Sequence, residues 1–142
     1  MKFGWMGSVT QDPQETIQLG EHFATFVEKG DVFSFVGELA SGKTTFIKGI
    51  LKGLNFDKPV TSPTFTLINE YNAQYSVIHI DCYREDNLER WIKLGMNDYM
   101  DEKNIVIIEW ADKMKSLLPL DTIQIQFSHK SLTSREIFLS SE

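Results

Sequence analysis

The chain of 142 residues has a single cysteine, Cys82, and no long apolar run. One cysteine excludes an intrachain disulfide and any zinc site built from several cysteines. A membrane-spanning helix needs roughly 20 apolar residues in succession, and no stretch of the sequence approaches that length. The opening residues, MKFGWMGS, lack the apolar stretch of a secretory signal. We therefore expect a cytoplasmic protein that does not span a membrane.

The chain is also poor in positive charge. It has 14 Lys and Arg against 20 Asp and Glu, a net charge of −6, and its basic residues are dispersed. A protein that holds a nucleic-acid backbone by itself normally carries a basic patch. If nucleic acid is involved in the function, we expect another subunit to hold it.

What the sequence does contain is typical of a folded protein. Its hydrophobic content of 42% and charged content of 24% are close to globular averages. A chain of this length normally forms one domain with a real hydrophobic core. No internal repeat or long linker divides it, so we expect a single domain over residues 1–142.

The first half of the chain predicts a helix, a strand and a second helix. The stretch DPQET has Asp12 in the N-cap position with proline next, and apolar residues recur at helical spacing as far as Val27, with Gly30 as a stop signal. VFSFV, residues 32–36, is a short buried strand, and residues 43–53 form the next helix.

The second half predicts mainly strands. FTLINEY and YSVIHID are separated by three residues, Asn72, Ala73 and Gln74, which indicates an antiparallel hairpin. NIVIIEW has four consecutive β-branched residues, typical of a strand covered on both faces. A helix near residues 87–94, an alternating strand near 123–127 and a last strand in REIFL complete the pattern. The expected fold is a three-layer α/β domain with a mixed parallel and antiparallel central sheet.

The stretch GELASGKTTF fits the phosphate-binding loop pattern G-x-x-x-x-G-K-[ST] and lies between the predicted strand and helix. Glycines let the backbone N–H groups reach phosphate oxygens, and the helix N-terminus adds partial positive charge. Lys43 would contact the β- and γ-phosphates, the Thr44 hydroxyl would bind Mg²⁺, and Thr45 would lie near the α-phosphate. We therefore assign nucleotide binding to Leu39, Ala40, Ser41, Gly42, Lys43, Thr44 and Thr45.

Two predicted strands end in a carboxylate, at Asp81 in VIHID and at Glu109 in IVIIE. Strands parallel to VFSFV would bring such ends to the edge where the phosphates lie. A phosphate-binding-loop enzyme needs an acid for its metal and a group that orients or activates the attacking molecule. The pattern does not tell which acid has which role, and acids also end strands simply where the chain leaves the core.

Three further features have two interpretations each. Ser62, Pro63 and Thr64, in the stretch TSPT, fit two roles equally well. They could form a segment that senses the γ-phosphate, or a loop that only connects two elements. His79, within an apolar strand, is either a core residue or a chemical group of the site. Trp110, directly after Glu109, either packs in the core or controls access to the site.

Four motifs in this order, GELASGKTTF, SPTFTLINEY, HIDCYR and IEWAD, resemble the TsaE (YjeE) family of small P-loop ATPases. The resemblance extends from about Thr16 to Arg135, and LGMNDYM also resembles a family segment. It implies a role in tRNA threonylcarbamoyladenosine synthesis with TsaD and TsaB, which transfer the threonylcarbamoyl group in tRNAs that read A-starting codons. The family member would bind ATP and Mg²⁺, hydrolyse ATP slowly, and contact tRNA only indirectly.

The resemblance also implies roles for individual residues. Glu109 matches a magnesium-site residue, and Asp81 matches a residue needed for hydrolysis, which suggests that it positions or activates water. Trp110 matches a functionally important tryptophan. Arg135 falls where the family has an arginine near the nucleotide, and the segment around Asp12 would lie near the adenine.

This chain departs from the family in one respect: it has Ala40 and Ser41 where Gly-Ala is usual. Alanine is less favourable than glycine where φ must be positive, so the departure leaves the loop geometry and the turnover rate open. Two other functions fit a phosphate-binding loop. A small-molecule kinase would need an acceptor pocket and an arginine-bearing lid, for which the chain has little room. A nucleotide sensor that docks on a partner would not need to hydrolyse ATP.

Overall fold

The computed structural model describes residues 6–38, 41–60, 67–83, 85 and 87–140. Within these residues, seven strands form one sheet in the order β1-β7-β6-β2-β5-β4-β3. The strands are β1 (Gly7–Thr10), β2 (Val32–Val36), β3 (Ile68–Asn72), β4 (Ser76–Asp81), β5 (Asn104–Glu109), β6 (Ile123–His129) and β7 (Arg135–Leu139). The α-helices are α1 (Pro13–Phe23), α2 (Lys43–Gly53), α3 (Leu88–Lys93) and α4 (Met96–Tyr99), and 3₁₀ helices cover Ala24–Phe26 and Ala111–Leu117.

The sheet is mixed, as the sequence predicts. Its centre, β6-β2-β5-β4, is parallel, while β3 is antiparallel to β4, β7 to β6, and β1 to β7. Parallel neighbours need helical crossovers that return the chain to the same end of the sheet, which explains why helices lie on both faces. The antiparallel hairpin of β3 and β4 is confirmed.

β5 shows how the sheet separates two cores. Ile105 and Ile107 belong to the core that contains α1 and α2, whereas Val106 and Ile108 belong to the core that contains α3 and α4. Side chains of a strand alternate between faces, so a run of four apolar residues places two in each core. The predicted three-layer α/β architecture is therefore confirmed.

Helices α1 and α2 pack unusually closely. A Cβ atom at Gly20 would lie 2.4 Å from the carbonyl oxygen of Phe46, and one at Gly49 would lie 2.2 Å from that of Ile17. Only glycine permits this backbone approach. This contact packs the backbone of α2 directly against that of α1.

The predicted first helix is too long. α1 ends at Phe23 and tightens into the 3₁₀ helix, and Val27 is already extended. The hydroxyl of Thr25 donates to the carbonyl of His22 at 2.7 Å, a local bond of the kind that competes with helix continuation. The short strand β1, helix α4 and the second 3₁₀ helix were not predicted. No helix in the described part of the chain is long and apolar enough to cross a membrane.

Candidate nucleotide-binding site

The described part of the loop between β2 and α2 is shaped by two glycines. Gly42 is left-handed, with φ of 101°, and is the N-cap of α2. A Cβ at Gly37 would lie 2.6 Å from the carbonyl oxygen of Phe127, so only glycine fits there. Gly42 has no side chain that could accept from the first-turn N–H groups of α2, and those donors remain directed at the loop. The N-terminus of α2 is therefore suited to an anion.

Lys43, the first residue of α2, turns its ammonium group into the site. The Lys43 Nζ donates to the Gly37 carbonyl at 2.8 Å and lies 3.7 Å from Oε1 of Glu109. It also lies 4.2 Å from the centre of the Trp110 ring, a cation–π contact. Burial lowers the pKa of Lys43, although Glu109 and Asp81 oppose this shift. The buried ammonium thus lacks the hydration it would have in water and would gain from a phosphate.

Asp81 and Glu109 end the neighbouring strands β4 and β5 and are paired across them. Both are almost completely buried, with exposures of 7% and 5%. Oδ1 of Asp81 accepts from the backbone N–H of Tyr83 at 2.9 Å. Burial raises the pKa of Asp81, and the charge of Glu109 adds to this. The sequence prediction that both acids reach the loop edge agrees with this geometry.

His79 lies two residues before Asp81 on β4 and is fully buried. Its Nε2 is 2.6 Å from Oε2 of Glu109, whereas its Nδ1 has no hydrogen-bond partner among the described residues. The sequence left its role open. The alternation of side chains along a strand could have identified His79. It puts His79 on the same face of β4 as Asp81, and the neighbouring strand ends in Glu109.

Trp110 follows Glu109 in a left-handed conformation with φ of 58° and ψ of 44°. A left-handed backbone conformation is uncommon for a bulky residue, and such strained residues cluster at functional sites. Its ring contacts the ring of Tyr83, with centroids 4.9 Å apart, and covers the ammonium of Lys43. Trp110 is therefore part of the site, and Tyr83 is a neighbour that the sequence did not predict.

Arg135 and the start of α1 flank the loop on another side. A Cβ at Gly42 would lie 3.7 Å from Cγ of Arg135 and 3.9 Å from Cγ2 of Thr16. Arg135 donates through one guanidinium nitrogen to three carbonyls of the β6–β7 turn, at 3.1 to 3.4 Å. Oδ1 of Asp12 caps α1 by accepting from the N–H of Glu15 at 2.9 Å. The predicted N-cap is confirmed, and the adenine contact of this segment stays a prediction.

The remaining predicted residues fall into two groups. Thr44 and Thr45 are half-buried in the first turn of α2, and Ser41 is buried with no partner for its hydroxyl among the described residues. Five predicted residues lie outside the described part of the chain: Leu39, Ala40, Ser62, Pro63 and Thr64.

The chemistry of the buried groups fits a divalent cation bound together with a phosphate. Asp81 and Glu109 provide two carboxylates against the single ammonium of Lys43, and Thr44 adds a hydroxyl on the same helix turn. Across residues 6–38, 41–60, 67–83, 85 and 87–140, no cluster of three or more His, Cys, Asp or Glu could hold a metal alone. Mg²⁺ with a nucleotide needs only one or two protein ligands beside phosphate and water.

Comparisons with known proteins identify one family. The model of the family "Threonylcarbamoyl adenosine biosynthesis protein TsaE" matches residues 10–137. The tRNA threonylcarbamoyladenosine biosynthesis protein TsaE of Bacillus subtilis is 38% identical over 90% of this chain and 80% of its own length. That of Treponema pallidum is 34% identical over 93% and 98%. The crystal structure of Bacillus subtilis YdiB matches with a TM-score of 0.81 and 32% identity, over 96% of this chain and 85% of that one.

Proposed function

Because the chain belongs to the TsaE family of threonylcarbamoyl adenosine biosynthesis proteins, we propose that it is the ATP-hydrolysing subunit of this tRNA modification. It would act in the cytoplasm with homologues of TsaD and TsaB, which carry out the transfer. The net charge of −6 supports an indirect contact with tRNA, since the partners would supply the positive surface. One observation carries the proposal: the ammonium of Lys43 and the carboxylates of Asp81 and Glu109 are buried together at the start of α2.

ATP would bind with its phosphates at the N-terminus of α2. The backbone N–H groups of the first turn would donate to phosphate oxygens, and Lys43 would exchange its bond to the Gly37 carbonyl for the β- and γ-phosphates. Ser41 through Thr45 would contribute to this phosphate-binding loop. Arg135 and the segment near Asp12 would border the nucleoside side, because Arg135 already lies beside Gly42.

Thr44 and Glu109 would hold Mg²⁺, and their oxygen donors suit this hard cation. When bound, Mg²⁺ neutralises charge on the β- and γ-phosphates. The carboxylate of Glu109 is held close to Lys43, at 3.7 Å, which places it at the loop rather than in the core. The donor set therefore fits the metal that the family resemblance implies.

Asp81 would position the attacking water and accept its proton. The bond between the water oxygen and the γ-phosphorus forms as the bond from that phosphorus to the β–γ bridging oxygen breaks, which releases ADP and phosphate. A buried carboxylate with a raised pKa is a better proton acceptor than an exposed one, and the N–H of Tyr83 holds it in place. Trp110 would exclude bulk water above Lys43, and the segment with Ser62, Pro63 and Thr64 would respond to the γ-phosphate.

The test is the release of ADP by the protein alone and after addition of TsaD and TsaB. We expect slow hydrolysis alone and a higher rate with both partners. Asp81→Ala should bind ATP without hydrolysing it and should stop the partner-dependent modification. A nucleotide sensor would keep its partner-dependent function in this variant. Protein that neither binds ATP with Mg²⁺ nor associates with the partners would overturn the proposal.

A further inference from the structure

The two oxygens of the Glu109 carboxylate have different partners. Oε2 lies 2.6 Å from Nε2 of the fully buried His79, and Oε1 lies 3.7 Å from Nζ of Lys43, the first residue of α2. A carboxylate rotates readily about its last bond, and a short bond to one oxygen fixes both. The orientation of Glu109 towards the loop therefore depends on the group behind it.

Packing alone does not account for His79. Two of its neighbours on the same face of β4 and β5, Val77 and Ile107, are apolar, and an apolar residue at this position could pack against them. His79 is instead fully buried with its Nδ1 unpaired among the described residues. A buried polar group without a hydrogen-bond partner destabilises a fold. The only described partner of its ring nitrogens is the carboxylate of Glu109, which as an acceptor places a proton on Nε2.

We propose that His79 is a positioning residue that orients the Glu109 carboxylate for the nucleotide-bound cation. This inference rests on the proposed function, because it needs a cation at Glu109. His79 would not contact the nucleotide, because it lies behind Glu109: the His79 and Ile107 pair is two residue pairs deeper along β4 and β5 than the Asp81 and Glu109 pair. It acts as the partner that a metal-binding side chain usually has on its far side.

Two amide substitutions at this position form a matched pair. The side-chain amide of His79→Gln has the length to place an N–H near the position of Nε2, whereas that of His79→Asn ends nearer the position of Nδ1. Both are polar and close to histidine in size, so they disturb the core to a similar degree. The variants differ mainly in whether Glu109 keeps its donor.

The measurement is the binding of a fluorescent ADP analogue, first in EDTA and then with increasing Mg²⁺. In EDTA both variants should bind like the wild type, because the loop and Lys43 are intact. Mg²⁺ should increase the affinity for the ADP analogue, and the Mg²⁺ concentration that gives half of this increase is the quantity compared. In His79→Asn it should be about tenfold higher or more. His79→Gln should restore most of this loss. The apparent KM for Mg²⁺ in hydrolysis should follow the same order.

Val77→Ala is the control for a merely structural effect. Val77 is buried on the same face of β4, two residues from His79, and does not contact Glu109 according to the described contacts. It should lower the thermal midpoint and leave the Mg²⁺ dependence unchanged. An equal shift in Val77→Ala, or no shift in His79→Asn, would overturn the inference while the proposed function stands. Wild-type protein that binds no nucleotide would overturn the proposed function, and the inference with it.

Discussion

Two buried regions meet on one face of α2, three residues apart: one consists of apolar rings and the other of charged groups. Phe46 lies in a cluster of phenyl rings, 5.2 Å from Phe23 and 5.5 Å from Phe127 between ring centroids. Lys43, one turn earlier, lies among charged groups. The rings gain from leaving water and from their edge-to-face contacts. The ions lose hydration, and their attraction only partly restores it.

The difference shows what each region contributes. The phenyl cluster stabilises the fold and fixes α2 on the sheet. In the charged cluster, burial raises the pKa of Asp81 and lowers the pKa of Lys43, which disfavours the charged form of each side chain. Buried ionisable groups with shifted pKa values and specific charged neighbours are typical of functional sites. Substitutions in the first region should therefore affect stability, and those in the second should affect activity.

The largest expected effect comes from Lys43→Ala. Removal of the ammonium should lower kcat/KM for ATP by about a thousandfold, because a preorganised charge on the phosphates is lost. The fold should persist, since the rings below Lys43 are intact. Steady-state hydrolysis and circular dichroism test both statements. The matched control is Lys48→Ala, an exposed lysine on the same helix, which should behave like the wild type.

Phe46→Ala should lower stability, whereas Lys43→Ala should lower activity. It should lower the free energy of unfolding by about 3–5 kcal/mol, because it removes a fully buried ring and leaves a cavity. Urea denaturation provides the measurement. Phe138→Ala removes a ring that is 36% exposed on the strand β7 and should have a much smaller effect. Similar losses in both variants would contradict the assignment of stability to the phenyl cluster.

Asp81→Asn should change hydrolysis and stability in opposite directions. Hydrolysis should fall by about a hundredfold or more, because the amide cannot accept the proton. Stability at neutral pH should rise. Burial raises the pKa of Asp81, so its contribution to stability is complete below the unfolded pKa and is lost as pH rises through the folded pKa. The ionised form therefore destabilises the fold at neutral pH.

Thermal midpoints across pH test this linkage. The advantage of Asp81→Asn over the wild type should shrink as pH falls, since both side chains are then neutral. Asp101→Asn is the matched control: Asp101 also accepts from the N–H two residues later, at 2.8 Å, but is exposed. It should change neither hydrolysis nor stability. A destabilised Asp81→Asn at neutral pH would show that the charge of Asp81 is favourable in the fold.

The smallest expected effect lies outside both regions, at the N-cap of α1. Asp12→Ala should lower the free energy of unfolding by about 1 kcal/mol, because the N–H of Glu15 loses its acceptor. Asp12→Asn retains an acceptor oxygen and should lose much less. Chemical denaturation of the three proteins gives the order. Equal stability of the alanine and asparagine variants would mean that the cap contributes little.

Much of the site followed from local patterns. The loop, the N-terminus of α2 and the two strand-end acids were predicted because short motifs encode backbone turns and alternation encodes faces. The end of α1 was not predicted, since the apolar periodicity continues to Val27 although the α-helix ends at Phe23. The role of His79 was also not settled, because the contact that defines it joins residues 79 and 109.

The sequence by itself determined which residues form the loop, which strands are buried on both faces, and that acids end β4 and β5, because these depend on neighbours along the chain. Only the tertiary structure decided that β4 runs parallel to β5, which brings Asp81 beside Glu109. It also decided that His79 holds one oxygen of Glu109 and that the ring of Trp110 covers Lys43. Such contacts depend on how distant strands pair and on how closely α1 and α2 pack, and both are set by the packing of the whole core.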